Sequence, residues 1–247
     1  MPYKHCSEEF DVSFKKAQGL KWLPWVGTSF AHRASENKLL VVGESHYYQN
    51  DEKFNKQQKA EYTRAVVSEA LIDKKWSTRT LDTIPRLLFG TDKLDRERFW
   101  GDTAYYVFVQ RGMNTVKERP SMKDFTFGWG TFLDVARTVM PSHCLFIGVE
   151  AFNQFNEVMT HAPIQHAKVQ RGDKISGAYA RHASVLLDNH RLSLIGVQHL
   201  GARCSWQKWR NYLLRKHKDL TDFLEAGQYT DTTKTWQGDT ESLLRCK

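Results

Sequence analysis

Two short runs hold most of the side chains in this sequence that could do chemistry. The first is Gly43-Glu44-Ser45-His46-Tyr47-Tyr48, and the second is Gln198-His199-Leu200-Gly201-Ala202-Arg203. A carboxylate such as Glu44 can orient water or take up a proton, and Ser45 adds a hydroxyl beside it. An imidazole such as His199 can donate a hydrogen bond to a departing group. Tyr47, Tyr48 and His46 offer flat faces against which a ring can stack. Gln110 and Asn114 are amides able to read a donor and acceptor pattern. None of these residues is informative alone. Gathered at the mouth of one crevice, they would have the composition of a catalytic site.

The elements that must position them can be read from the apolar runs. Residues 38–43, KLLVVG, form a short β-branched apolar run closed by a glycine, the pattern of a fully buried strand. Similar runs at 103–109, 144–149 and 191–197 predict three more strands. Helical spacing predicts helices over 8–17, 56–73, 81–89, 129–139, 150–159 and 205–226. Gly90 stands where a helix C-cap is expected. Residues 110–127 read as a long polar loop, and 162–190 as short irregular strands or a loop and helix. Alternation of strand and helix implies a parallel sheet covered on both faces. The expected fold class is therefore α/β, a three-layer αβα sandwich around a central four-stranded parallel sheet. In such sheets ligands bind beyond the carboxyl ends of the strands, where both chemistry-bearing runs lie. The organisation expected is an N-terminal extension over 1–37, an α/β domain over 38–226 and a polar tail over 227–247.

Composition narrows the function classes. The 247 residues are 40% hydrophobic, enough for a substantial core, and no run reaches the roughly 20 apolar residues of a membrane helix. The first residues mix charges and lack an apolar h-region, so a cytoplasmic, membrane-free protein is expected. Cys6, Cys144, Cys204 and Cys246 are widely scattered without a CxxC pair, so neither a metal site nor another cofactor is expected. A phosphate-binding GxxxxGK[ST] loop is absent, which counts against a nucleotide hydrolase. The net charge is +8. Residues 201–218 concentrate Arg203, Lys208, Arg210, Arg215, Lys216 and Lys218 without an acid, interleaved with Trp206, Trp209 and Tyr212. Such a basic, aromatic segment suits a polyanion such as nucleic acid, and the chain is expected to act as a monomer.

Taken in order, these segments resemble the uracil-DNA glycosylase superfamily. KLLVVGESHYY occupies the place of the family's first strand and water-positioning loop, and LIGVQHLGARCSWQKW that of its last strand and base-contacting loop. FWGDTAYYVFVQ and MPSHCLFIGV stand for the strands between, so the resemblance runs from about Trp22 to Leu224. It implies that Glu44 positions water, with Ser45 where other branches place a water-activating Asp or Asn. It also implies that Tyr47 packs on the C5 edge of an extruded base, His199 hydrogen-bonds the departing base and Arg203 wedges the duplex. His46 replaces the usual Pro, and Leu200-Gly201 replace Pro-Ser. Val107 stands where the family has its base-reading Asn. Without that amide, discrimination of uracil from cytosine weakens. The implied activity is excision of a deaminated or modified pyrimidine, in repair or in defence against modified viral DNA. His46, Tyr48, Gln110 and Asn114 are then further base contacts, and Lys208 and Arg210 phosphate contacts. The competing expectation is a non-catalytic nucleic-acid-binding protein on the same fold.

Overall fold

The computed structural model describes residues 3–47, 55–115, 117–201 and 204–230. Its architecture is α/β, with a mostly parallel central sheet flanked by helices. The four expected strands are all present, as β2 (Leu39–Gly43), β4 (Ala104–Val107), β6 (His143–Ile147) and β9 (His190–Val197). They pair in parallel in the order β4-β2-β6-β9. The sheet is wider than the expected four strands, however. Among the described residues it has seven, and the added ones are antiparallel: β1 (Trp25–Val26) on β4, and the hairpin β7 (Gln165–Ile175) and β8 (Ala178–Leu187) on β9. Residues expected to be irregular over 162–190 are thus the longest hairpin in the fold. Two register shifts in β7 break the alternation that would have revealed it.

Each central strand sends alternate residues to opposite faces, and both faces are buried. Leu39, Val41, Leu145, Ile147, Ile195 and Val197 face one core, closed by helices Arg79–Phe89, Trp206–Lys216 and Lys218–Ala226. Leu40, Val42, Tyr106, Phe146 and Leu194 face the other, closed by Met122–Val139 and Phe155–His161. In that second core Trp129 meets Phe108, Phe132, Phe152 and Phe155 edge-on at ring separations of 5.0–5.8 Å.

Several helices differ from expectation for local reasons. The first shrinks to Asp11–Phe14. The second is interrupted: residues 55–57 are helical, turns follow, and the α-helix resumes over Tyr62–Val66 before widening into a π-turn over Val67–Ile72. The Met122–Val139 helix starts seven residues earlier than expected, because Ser121 and Asp124 cap it reciprocally. The basic helix is two helices, broken at His217. Gly90 does close the Arg79–Phe89 helix, at φ 75°.

The N-terminal stretch contributes Trp22, Trp25 and Phe30 to the core, each at most 1% exposed. It is held by polar clamps. Gln110 Oε1 accepts from the backbone N–H of Lys21 and Trp22 at 2.9 and 3.0 Å. The Arg64 guanidinium, 3% exposed, pairs with Asp11 and donates through Nε to Pro24 O at 3.0 Å. Asp11→Ala would strand that cation in the interior, and a broken buried pair costs about 3 kcal/mol. Urea unfolding should show a loss of that order. A loss within experimental error would mean that water already solvates Arg64.

Candidate active site

In the order β4-β2-β6-β9, the chain leaves β2 toward one side and β6 toward the other, so the switch point lies between these strands. The two strand ends there are Gly43 and Gly148. Tyr105, paired with Val41 in the neighbouring strand, places its hydroxyl where a Cβ on Gly43 would sit. Gly148 has φ +140°, and a Cβ on it would lie 2.9 Å from Glu44 Oε2. Two glycines therefore leave room for one carboxylate and one phenol.

These groups line a cavity of about 320 Å³, walled by Glu44, Ser45, His46, Tyr47, Tyr105, Arg119 and His199, together with Trp76, Thr78, Thr80 and Ile84. That volume is in the range of small-ligand sites. The cavity unites the two runs singled out in the sequence.

The first run is fixed by its backbone. Gly43 O and Glu44 O accept from Phe108 N and Val109 N at 2.8 and 2.9 Å, prolonging the ladder past the strand. His46–Tyr47 then form β3, paired in parallel with β5, Gly112–Met113. The long loop after β4 is thus tied to the site. Its outer part is braced by Arg111, which bonds Glu118 and Asp124 at 2.7 Å each, while Glu118 accepts from Asn114 N at 2.6 Å. That bracing presents Arg119, whose guanidinium reaches Tyr47 Oη at 3.5 Å.

The second run is anchored on either side of its histidine. Gln198 Oε1 accepts from Trp209 Nε1 at 3.3 Å, and Leu200 is fully buried. His199 projects between these anchors, with Gly201 allowing the chain to pass close to its ring. Among the described residues neither ring nitrogen of His199 has a hydrogen-bond partner.

The electrostatics separate the two catalytic candidates. Burial lifts the Glu44 carboxyl to about 7; Arg119 opposes the rise and Glu150 adds to it. Burial, aided by Arg119, lowers His199, so its imidazole is neutral near pH 7. Ser45 Oγ is buried without a partner among the described residues. The site therefore holds a carboxyl poised to change protonation near neutrality and an imidazole that can donate without carrying charge.

The other expected site residues divide. His46 is a wall, not a free ligand group. Its ring packs edge-on between Trp22 and Tyr62 at 4.9 and 4.7 Å, and Nε2 shares a 3.1 Å hydrogen bond with Thr63 Oγ1. Burial holds its pKa down to about 3. Gln110 faces away from the cavity, spending its carbonyl on Lys21 and Trp22 and its amide on Val107 O. Asn114 lies out in the braced loop and does not line the cavity. Arg210 is half-buried, and its guanidinium bonds Leu88 O at the end of a neighbouring helix, so it is a structural clamp. Lys208 is exposed on the Trp206–Lys216 helix. Val107 is a buried core residue, 1% exposed. Tyr48 and Arg203 lie outside the described residues. Sequence reasoning missed Arg119, Tyr105, Thr78 and Thr80; a lone arginine in a polar loop and a tyrosine in mid-strand carry no local signal of a site.

No family model matches the chain, and no curated protein shows significant similarity to it. Among the described residues no helix is long and apolar enough to cross a membrane, and no cluster of His, Cys, Asp or Glu could hold a metal ion.

The Glu44 carboxyl gives a signature independent of any reaction. Between its ordinary 4.5 and the native value of about 7, the folded chain keeps a proton that the unfolded chain has released. Its contribution to stability is therefore full below pH 4.5 and declines as pH rises toward 7. Thermal melts across that window should show wild type losing ground to Glu44→Gln as pH rises. A difference that does not vary with pH would contradict the burial of Glu44.

Proposed function

We propose that this chain is a monofunctional DNA glycosylase of the uracil-DNA glycosylase type, acting as a monomer on an extruded pyrimidine. The observation that carries the reading is the meeting of Glu44 and His199 at one cavity beside the switch point. They come from the first and last parallel strands, in the order that the resemblance requires.

In this reading the extruded base lies in the cavity against Tyr47, with Tyr105 beneath it. Extrusion costs a few kcal/mol, offset by contacts to the DNA backbone. Cleavage breaks the bond from the base nitrogen to C1′, and the electron pair leaves with the base. His199, neutral, donates a hydrogen bond to the oxygen on which that charge gathers. Glu44, ionised, stabilises the positive charge growing on the sugar and accepts a proton from the water that bonds C1′. Arg119 has two uses: it holds the Tyr47 hydroxyl and favours the ionised form of Glu44. With an apolar Val107 inside the core, the base edge is read by the cavity's hydroxyls and by Arg119 rather than by a carboxamide. That arrangement favours a deaminated or modified pyrimidine, in repair or in antiviral defence.

The test is incubation with duplexes containing uracil or modified cytosines, followed by alkaline cleavage at abasic sites. Excision of at least one base is expected, with a rate that rises with pH through about 7 as Glu44 ionises. Glu44→Gln and His199→Ala should each slow single-turnover excision roughly 100-fold or more while DNA binding persists. DNA binding without abasic sites on every substrate would leave a non-catalytic nucleic-acid-binding protein in its place.

A further inference from the structure

The hairpin β7–β8 outruns the sheet to which it belongs. The last pairs with β9 join Arg181 to Gly196 and His182 to Ile195. The pairs Lys174–Tyr179 and Ile175–Ala178 lie beyond them. Because β9 runs parallel to β6 and ends at Val197, just before the His199 loop, the hairpin tip stands on the same side of the sheet as the cavity.

The tip is basic in an unusual arrangement. Arg171 and Arg181 are direct cross-strand partners, although like charges facing each other across a ladder are destabilising. Among the described residues neither is paired with a carboxylate. Arg181 donates to Tyr179 O at 3.2 Å. The hairpin's one acid, Asp173, is taken by Arg215 at 2.6 Å. The Arg171 guanidinium and the Lys174 ammonium sit 5.4 and 5.6 Å from the centre of the Tyr179 ring, which is 39% exposed. Cations and bulges commonly keep an edge strand from pairing with another chain. That accounts for Lys168 and the two register shifts in β7, but not for Arg181, which lies on the inner strand.

The charge also connects to the catalytic end. Glu150 begins the short turn after β6, and its field reaches both Arg181 and Glu44. Arg181 and Glu44 therefore have one acid as a common neighbour.

We propose that Arg171, Lys174 and Arg181, grouped around Tyr179, grip backbone phosphates of the DNA strand whose nucleotide enters the cavity. This rests on the reading of the chain as a DNA-acting protein and gives that reading a second contact surface, distinct from the helix after His199. A phosphate between Arg171 and Arg181 would relieve the repulsion that the free hairpin bears, so the ladder is arranged for an anion.

The experiment measures binding of a short fluorescent duplex to wild type, Arg171→Ala, Arg181→Ala and the double variant over a range of salt concentrations. Each lost phosphate contact should lower the slope of log affinity against log salt by about 1. Because one repulsive partner is removed, each single variant should melt no lower than wild type. Unchanged slopes in variants of a DNA-binding wild type would overturn the hairpin assignment alone. So would a fall in affinity that comes only with a lower melting temperature and an unchanged slope. A wild type that binds no DNA would overturn both this proposal and the reading beneath it.

Discussion

Strand β2 is buried on both faces and paired in parallel along both edges, and much of the fold follows from that burial. Leu39 and Val41 face one core while Leu40 and Val42 face the other, so no residue of the strand meets water until the chain has passed Gly43. The chain must emerge at the switch point because the neighbours on either side close every other route. Whatever follows Gly43 is therefore delivered into the crevice, and Glu44 is the first polar side chain to arrive. The same burial sets its chemistry. A carboxyl just past a dry strand is poorly hydrated, and among the described residues Arg119 moderates the cost of ionising it.

The glycines at the two strand ends complete this arrangement. Neither is needed for a tight turn of the familiar kind. Gly43 is small because Tyr105 crosses beneath it, and Gly148 because its φ of +140° favours glycine and Glu44 leans on it. The cavity floor thus includes the Tyr105 side chain from β4, which reaches under β2, and strand register decides that it is this residue. Val107 pairs with Gly43 and is lost in the core, whereas Tyr105, two residues earlier, opens into the cavity.

This explains what could be read in the sequence and what could not. The four parallel strands were legible because each is a compact apolar run. Glu44, Ser45, Tyr47 and His199 were legible because they follow such runs directly. Strand β1 has two residues, too few for a pattern, and β7 loses its alternation to two irregularities. Arg119 becomes a site residue only through the pairing of β3 with β5 and the ion pairs of Arg111, all set by tertiary contacts. The cations of residues 201–218 were hard to read for a different reason. A count of charges cannot show which are already spent, and Arg210 and Arg215 are engaged with Leu88 and Asp173.

The Trp206–Lys216 helix consequently behaves as a tie-bar. Trp209 grips Gln198 beside His199, Arg210 grips the end of the Arg79–Phe89 helix, and Tyr212 and Arg215 grip His182 and Asp173 of the hairpin. The first turn of the Arg79–Phe89 helix, with Thr78 before it, forms one cavity wall. A single helix thus links the histidine loop, another cavity wall and the projecting hairpin. Leverage applied to the hairpin tip would be carried along this bar to both sides of the cavity, so that its width and the position of His199 would change in concert.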